Sequence, residues 1–369
     1  MPSSPSFQLP DLLNLSRQLV LRTNRHCHAV STASEQWFTG DSDDRVRHEI
    51  LTADERRALR SMKIGLLAAA CFPTCDAPQL RLVTDFLTAL VCCTARLGAG
   101  RTLRDCGWIE ELPDGRGDAL GCLAENELFW QLMPKIASSM RSESWRTRFS
   151  ESAKAFREAQ MQVIANRQND IIPDLEAYLN LGRNLSGIPM IFDLIELAEG
   201  LEIPSSRADS ETWTNLKCSA ADVIAVSMDI FAYNNDQYTG NSHNIVSIIQ
   251  AEKHLSIQGA TNAAFAIVSQ SFQRFLAAEV SLFPAPETHL HPQAGPAWSW
   301  NPLSRKRSSP ELSGHGQGTM DADAKLYMRG LKDCIVGTLN WSYETELYFG
   351  VKGDEVRQFG WVFLRVPGD

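Results

Sequence analysis

The sequence predicts an all-α protein. Apolar residues recur at three- and four-residue spacing along most of the chain, and no pair of alternating segments joined by a tight turn signals a hairpin. The text loses period in only two long places, about 96–123 and 284–323. A single domain over 1–369, carrying those two stretches as irregular insertions, accounts for all three observations.

Composition narrows the function classes. An apolar share of 44% in 369 residues builds a substantial core. The net charge of -9 disfavours nucleic acid as a partner, so an anionic ligand would need a metal ion or a local group of arginines. Nine cysteines are scattered without a Cys-x-x-Cys pair, which points to reduced thiols rather than zinc or a disulfide framework. The N-terminal Met1-Pro-Ser-Ser-Pro has neither the basic nor the apolar region of a signal peptide, and the longest apolar run, Ile64 to Phe72, is too short to span a bilayer. A soluble, cytoplasmic protein with no obligate protein partner is expected.

Taken in order, Thr52-Ala-Asp-Glu55 is a capping box, and it leads into the apolar run from Ile64 that Pro73 stops. Leu80 to Cys93 is apolar on most faces, as a central helix is. Helical period returns after the first irregular stretch and is clearest in Phe149, Ala153, Phe156, Val163 and Ile164. Pro173-Asp174 opens a helix carrying Leu175, Tyr178 and Leu181, interrupted over Gly182 to Pro189. Arg183 lies in that interruption, where free backbone donors beside a cation suit an anion, although a plain helix-to-helix turn reads the same way.

The next segment reads as one long buried helix from Trp213 to Ile249 with polar residues lodged inside it. Asn235 and Thr239 stand four apart, so an amide oxygen and a hydroxyl share one side of a helix and can reach a single hard cation. Both residue types also back-bond to their own helix. If the helix runs straight through, His243 takes the position one turn on, where imidazole is a poor ligand for magnesium. A helix from Gln258 to Phe283 and a last one from Leu326 to Phe349 flank the proline-rich second irregular stretch. That stretch holds the basic Arg305-Lys306-Arg307, read as a solvated loop, and His289 and His291, too few for a metal site.

Several of these phrases resemble one family. Asn235-Asp236-Gln237-Tyr238-Thr239 followed by His243-Asn244-Ile245-Val246 is similar to the second metal motif of the fungal class I terpene synthases, the sesquiterpene cyclases of mushrooms in particular. Leu9-Pro-Asp-Leu12, Arg22-Thr-Asn24-Arg-His26, Trp37-Phe38, Gly182-Arg183 to Gly187-Ile-Pro189, and Trp341-Ser-Tyr-Glu344 to Leu347-Tyr348-Phe349 extend the likeness. It implies an all-α class I bundle around a central apolar cleft, binding a prenyl diphosphate such as farnesyl diphosphate. It implies ionisation of that substrate with Mg2+, and cyclisation of the cation among ring faces.

The same resemblance implies Asn235 and Thr239 as metal ligands, with His243 at a degenerate third-ligand position. Arg183 and Tyr348 fall on diphosphate contacts, and Phe86, Tyr178, Phe231 and Trp341 on the pocket lining. The departures are specific. Thr94-Ala-Arg-Leu-Gly98 stands where the family has its aspartate-rich motif, the stretch between Thr239 and His243 lacks the family's Lys-Glu pair and about eight more residues, and Gly182 and Leu347 replace arginines. A catalytically inactive, terpene-synthase-like helical paralogue is the alternative those departures imply.

Overall fold

A computed structural model of the chain describes residues 5–40, 51–102, 104–107, 123, 126–139, 142–284 and 315–365, with side chains from 321 onward in the last segment. The first short strand, β1 (Ser6–Gln8), is followed by α1 (Leu12–Leu15), α2 (Cys27–Thr39), α3 (Ala53–Met62), α4 (Ile64–Cys71) and α5 (Ala77–Gly98). Then come α6 (Met133–Ser139), α7 (Glu143–Gln168), α8 (Leu175–Leu185), α9 (Ile188–Glu199), α10 (Ser205–Ala208) and α11 (Glu211–Thr239). The chain closes with α12 (Ile245–Lys253), α13 (Ile257–Leu282), α14 (His315–Glu344), α15 (Glu346–Phe349), α16 (Gly353–Phe359) and β2 (Trp361–Phe363).

Local chemistry sets most of the helix starts. The Thr52 hydroxyl accepts from the Glu55 N–H while Glu55 Oε2 accepts from the Thr52 N–H at 2.7 Å, which is the capping box expected of those residues. Ser142, Asp174, Ser210 and Ser256 cap α7, α8, α11 and α13 through their side-chain oxygens. Burial then arranges the helices. α5 is buried at Leu80, Val83, Phe86, Leu87 and Leu90, and α11 at Leu216, Val223, Ile224 and Ile230, so both run through the interior. Among the described residues no helix is long and apolar enough to cross a membrane.

Four boundaries differ from the sequence reading. α11 ends at Thr239, because Gly240 adopts φ 74° as its left-handed cap; the helix does not run on to Ile249. α8 contains Gly182 and Arg183, and the break narrows to Ser186 and Gly187, the latter at φ 68°. The first irregular stretch starts later than 96, since α5 continues to Gly98, and the second ends before 323, since α14 begins at His315. His289, His291 and the Arg305-Lys306-Arg307 run lie outside the described residues. One feature went unanticipated: β1 and β2 pair antiparallel with Phe7 opposite Val362, tying the two ends of the chain together. Three-residue strands are too short to leave a period-2 signal.

α14 packs closely on α4. A Cβ at Gly337 would stand 2.8 Å from the Ala70 carbonyl carbon and 3.0 Å from its oxygen, so a backbone, not a yielding side chain, blocks it. Gly337→Ala should therefore lower the unfolding free energy by roughly 1–3 kcal/mol, read from the urea midpoint at unchanged slope.

Candidate functional site

Where α5, α8, α11, α14 and α15 converge they leave a cavity of about 340 Å³. Its body is apolar: Leu87, Leu90 and Val91 from α5, Ile188 and Phe192 from α9, and Ala225 and Ala232 from α11 line it. Polar groups gather at one end, where the C-terminal ends of α5, α7 and α11 meet.

The cavity face of α11 carries Asp222, Asp229 and Asp236, seven residues apart and so two turns from one to the next. Each has its partners. Asp222, buried, takes a two-pronged ion pair from Arg183, with Arg274 3.6 Å away. The Tyr178 hydroxyl sits 2.8 Å from Asp229 Oδ2 and 2.9 Å from the His243 carbonyl oxygen, and the Ile245 N–H donates to Asp229 Oδ2 at 2.9 Å. Asp236 accepts from the side-chain amides of Asn241 at 3.1 Å and Asn244 at 2.8 Å. Asn244 also donates to the Asp229 carbonyl oxygen and caps α12. The chain after Gly240 is thus folded back onto α11 by the aspartates that face the cavity.

Burial tunes these groups. It pushes the Asp229 carboxyl up to about 7, and raises Asp236 against the lowering pull of Asn244, Asn241 and Arg167. His243 is lowered to about 4, first by burial and then by the nearby Arg167. Arg183 is held above its ordinary value by its hydrogen bond to Asp222. Tyr178 and Tyr348 are raised by burial among carboxylates.

The residues singled out from sequence fall into three groups. Asn235, Thr239, Arg183, Tyr178, His243, Trp341 and Tyr348 all border the cavity. Trp341 is also pinned through its indole N–H to the carbonyl oxygens of Met62 and Lys63. Phe86 and Phe231 do not line it. Phe86 packs against Phe129 and Phe149, and Phe231 against Tyr343, Tyr348 and Phe349, so each supports the wall from behind. His243 does not continue a metal-binding helix face. It sits in the turn after Gly240, with Nε2 3.3 Å from Asn166 Nδ2 and a buried, unpartnered Nδ1.

Sequence reasoning missed Arg167, Asp229 and the side-chain network beyond them. Arg167, at the end of α7, lines the cavity and donates to the Leu97 carbonyl oxygen and to Asn241 Oδ1. The seven-residue spacing of the three aspartates was a usable signal.

A magnesium ion does not fit the described donors. Asn235 Oδ1 already accepts from Arg365 Nη1 at 3.0 Å, and the Thr239 hydroxyl donates to the Asp236 carbonyl oxygen. Thr94, Ala95, Leu97 and Gly98 bring no carboxylate to the opposite wall. Among the described residues no three His, Cys, Asp or Glu side chains are grouped to hold an ion, whereas Mg2+ demands octahedral oxygen with at least one carboxylate.

Comparison with known proteins finds similar chains of one kind. Residues 116–274 match the family model "Terpene synthase family 2, C-terminal metal binding". Sesquiterpene synthase Agr1 of Cyclocybe aegerita is 29% identical over 364 residues, 95% of this chain and 90% of the relative. Alpha-muurolene synthase of Coprinopsis cinerea is 28% identical, covering 96% and 77%. Over 116–274 the chain matches a terpene synthase model, and over nearly its whole length it is similar to named fungal sesquiterpene synthases. These fungal relatives are named as sesquiterpene synthases, which are enzymes. The terpene synthase fold is shared with solved structures: α-eudesmol synthase superposes at TM-score 0.64 with 14% identity, over 88% of this chain and 96% of that one. Linalool/nerolidol synthase from Streptomyces clavuligerus, solved with 2-fluorogeranyl diphosphate, gives 0.63 at 16% identity, with the same coverage.

Asp229 makes a pH signature. Its carboxyl stands near 7 in the fold against an ordinary 3.8, so the stability it contributes is complete below the lower value and declines as pH rises to about 7. His243 acts in the opposite sense, losing stability as pH falls from 6.5 to about 4. Asp229→Asn should remove only the first component. The difference between wild-type and variant melting temperatures should shift in the variant's favour between pH 4 and 7 and stay level above.

Proposed function

We propose that the chain takes a prenyl diphosphate, farnesyl diphosphate foremost, into this cavity with the hydrocarbon tail inward, and holds it without magnesium-assisted ionisation. It is then a prenyl-binding member of a cyclase family rather than a working cyclase. The observation that carries this reading is the wall at the end of α5, where, among the described residues, Thr94, Ala95, Leu97 and Gly98 face the cavity and no carboxylate does. A diphosphate leaving in a dry pocket needs positive charge fixed beforehand. Each missing electrostatic group in such a site commonly costs about two to three orders of magnitude in rate, and the losses compound without simply adding.

The ligand class is supported from two sides. The cavity, about 340 Å³, suits a small apolar molecule. The relatives are sesquiterpene synthases by name, and one structural neighbour holds a fluorinated geranyl diphosphate. The reading also takes the protein as cytoplasmic, where its free thiols stay reduced.

A second reading, a magnesium-dependent sesquiterpene cyclase, is favoured by the gathering of Asn235, Thr239, Arg183 and Tyr348 around one cavity. Incubation with farnesyl diphosphate and Mg2+, with products read by gas chromatography, separates the two. No sesquiterpene above the uncatalysed background is expected. Farnesol should nevertheless bind in a calorimeter, and Ala225→Phe, which fills the cavity from α11, should weaken that binding at least about tenfold. Appearance of a sesquiterpene hydrocarbon or alcohol at enzymatic rates would restore the cyclase reading.

A further inference from the structure

We infer that the polar end of the cavity is a metal-independent diphosphate site in which two guanidinium groups, Arg167 in the lining and Arg365 beside the lining residue Asn235, stand where a class I enzyme would use metal. The inference rests on the prenyl-diphosphate reading for its ligand, and on separate observations for its residues.

Arg167 reaches the cavity from the last turn of α7. Its two hydrogen-bond partners, the Leu97 carbonyl oxygen and Asn241 Oδ1, are neutral oxygens that fix the plane of the group. Asp236 lies one step further off, joined to Asn241 through the amide at 3.1 Å rather than to the guanidinium. Five N–H donors are available on an arginine, so the group keeps donors for an anion.

Arg365 arrives from the other direction. β2 leads the C-terminal segment across the end of α11, where two polar residues tie its backbone down. Asn234 donates to the Phe363 carbonyl oxygen at 3.0 Å and accepts from the Arg365 N–H at 2.9 Å, and Gln237 donates to the Arg365 carbonyl oxygen at 2.9 Å. With its backbone so held, Arg365 places Nη1 3.0 Å from Asn235 Oδ1. The amide oxygen that resembles a metal ligand therefore already faces a cation, while the exposed remainder of the guanidinium stays open to a ligand. Arg183, by contrast, is neutralised by Asp222 and contributes little net charge.

A planar guanidinium matches phosphate oxygens two at a time, and a fixed one holds its charge at any physiological pH. Two of them flanking Asn235 and Asn241 supply the positive charge that the acidic chain otherwise lacks. They bind diphosphate without drawing electrons from the scissile carbon–oxygen bond as strongly as bound metal ions do. The ligand chemistry is a diphosphate group, whether on a prenyl chain or free.

The test is calorimetry on the full chain with inorganic pyrophosphate in EDTA, then with Mg2+, and with farnesol alone. Pyrophosphate should bind in EDTA and not more tightly with Mg2+. Arg365→Gln, on an exposed strap residue outside the cavity lining, should weaken it about tenfold with unchanged farnesol affinity, and Arg167→Gln should weaken it further. Absence of pyrophosphate binding in EDTA, binding that needs Mg2+, or equal affinity in both variants overturns the inference. So does a parallel loss of farnesol affinity in Arg365→Gln, which would mark a structural effect. Farnesol binding without pyrophosphate binding defeats the arginine site and leaves the prenyl reading standing; arginine-dependent pyrophosphate binding without farnesol binding does the reverse.

Discussion

The fold-back of residues 241–245 onto the cavity face of α11 is the constraint from which the site follows. A helix that stops at a left-handed glycine sends the chain outward, and something must bring it back against its own side. Here that work falls to two aspartates: Asp236 holds the amides of Asn241 and Asn244, and Asp229 holds the first N–H of α12. Buried polar groups satisfied from several sides at once permit few alternative arrangements, so this network fixes where α12 starts and where the inner wall of the cavity lies.

The same bonds decide the chemistry. A carboxylate whose lone pairs face amide and hydroxyl donors is a structural acceptor, and removing those donors to admit a cation would leave the turn unsupported. Asp222 is engaged likewise, by Arg183. The three acids on α11 are therefore engaged within the fold, while Arg167 lines the cavity and Arg365 reaches the lining residue Asn235. Asp229 and Asp236, which face the cavity, are turned inward, toward the chain that follows Gly240.

Much of this was legible in the residues. Helix period gave α5, α7, α11 and α13 in the right order, the capping box at Thr52 began α3, and the motif spacing put Asn235, Thr239, Arg183 and Tyr348 in one phrase-by-phrase likeness. Less legible were features depending on which neighbour arrives from far along the chain. Phe86 and Phe231 have the spacing of cavity residues, yet face Phe149 and Tyr343 instead, since an apolar stripe does not say which of two apolar surroundings it meets. Arg167 has no motif at all, and its position depends on Leu97 and Asn241, 70 and 74 residues away in sequence.

The sequence by itself determined the all-α architecture and the absence of carboxylates from Thr94 to Gly98, because period and residue identity are local properties of the chain. Whether a present carboxylate is free to act is not local. Only the tertiary structure decided that Asp229 and Asp236 are bound from within and that Asn235 meets a guanidinium from the far C-terminus, because a polar group's availability is set by the partners that packing brings to it.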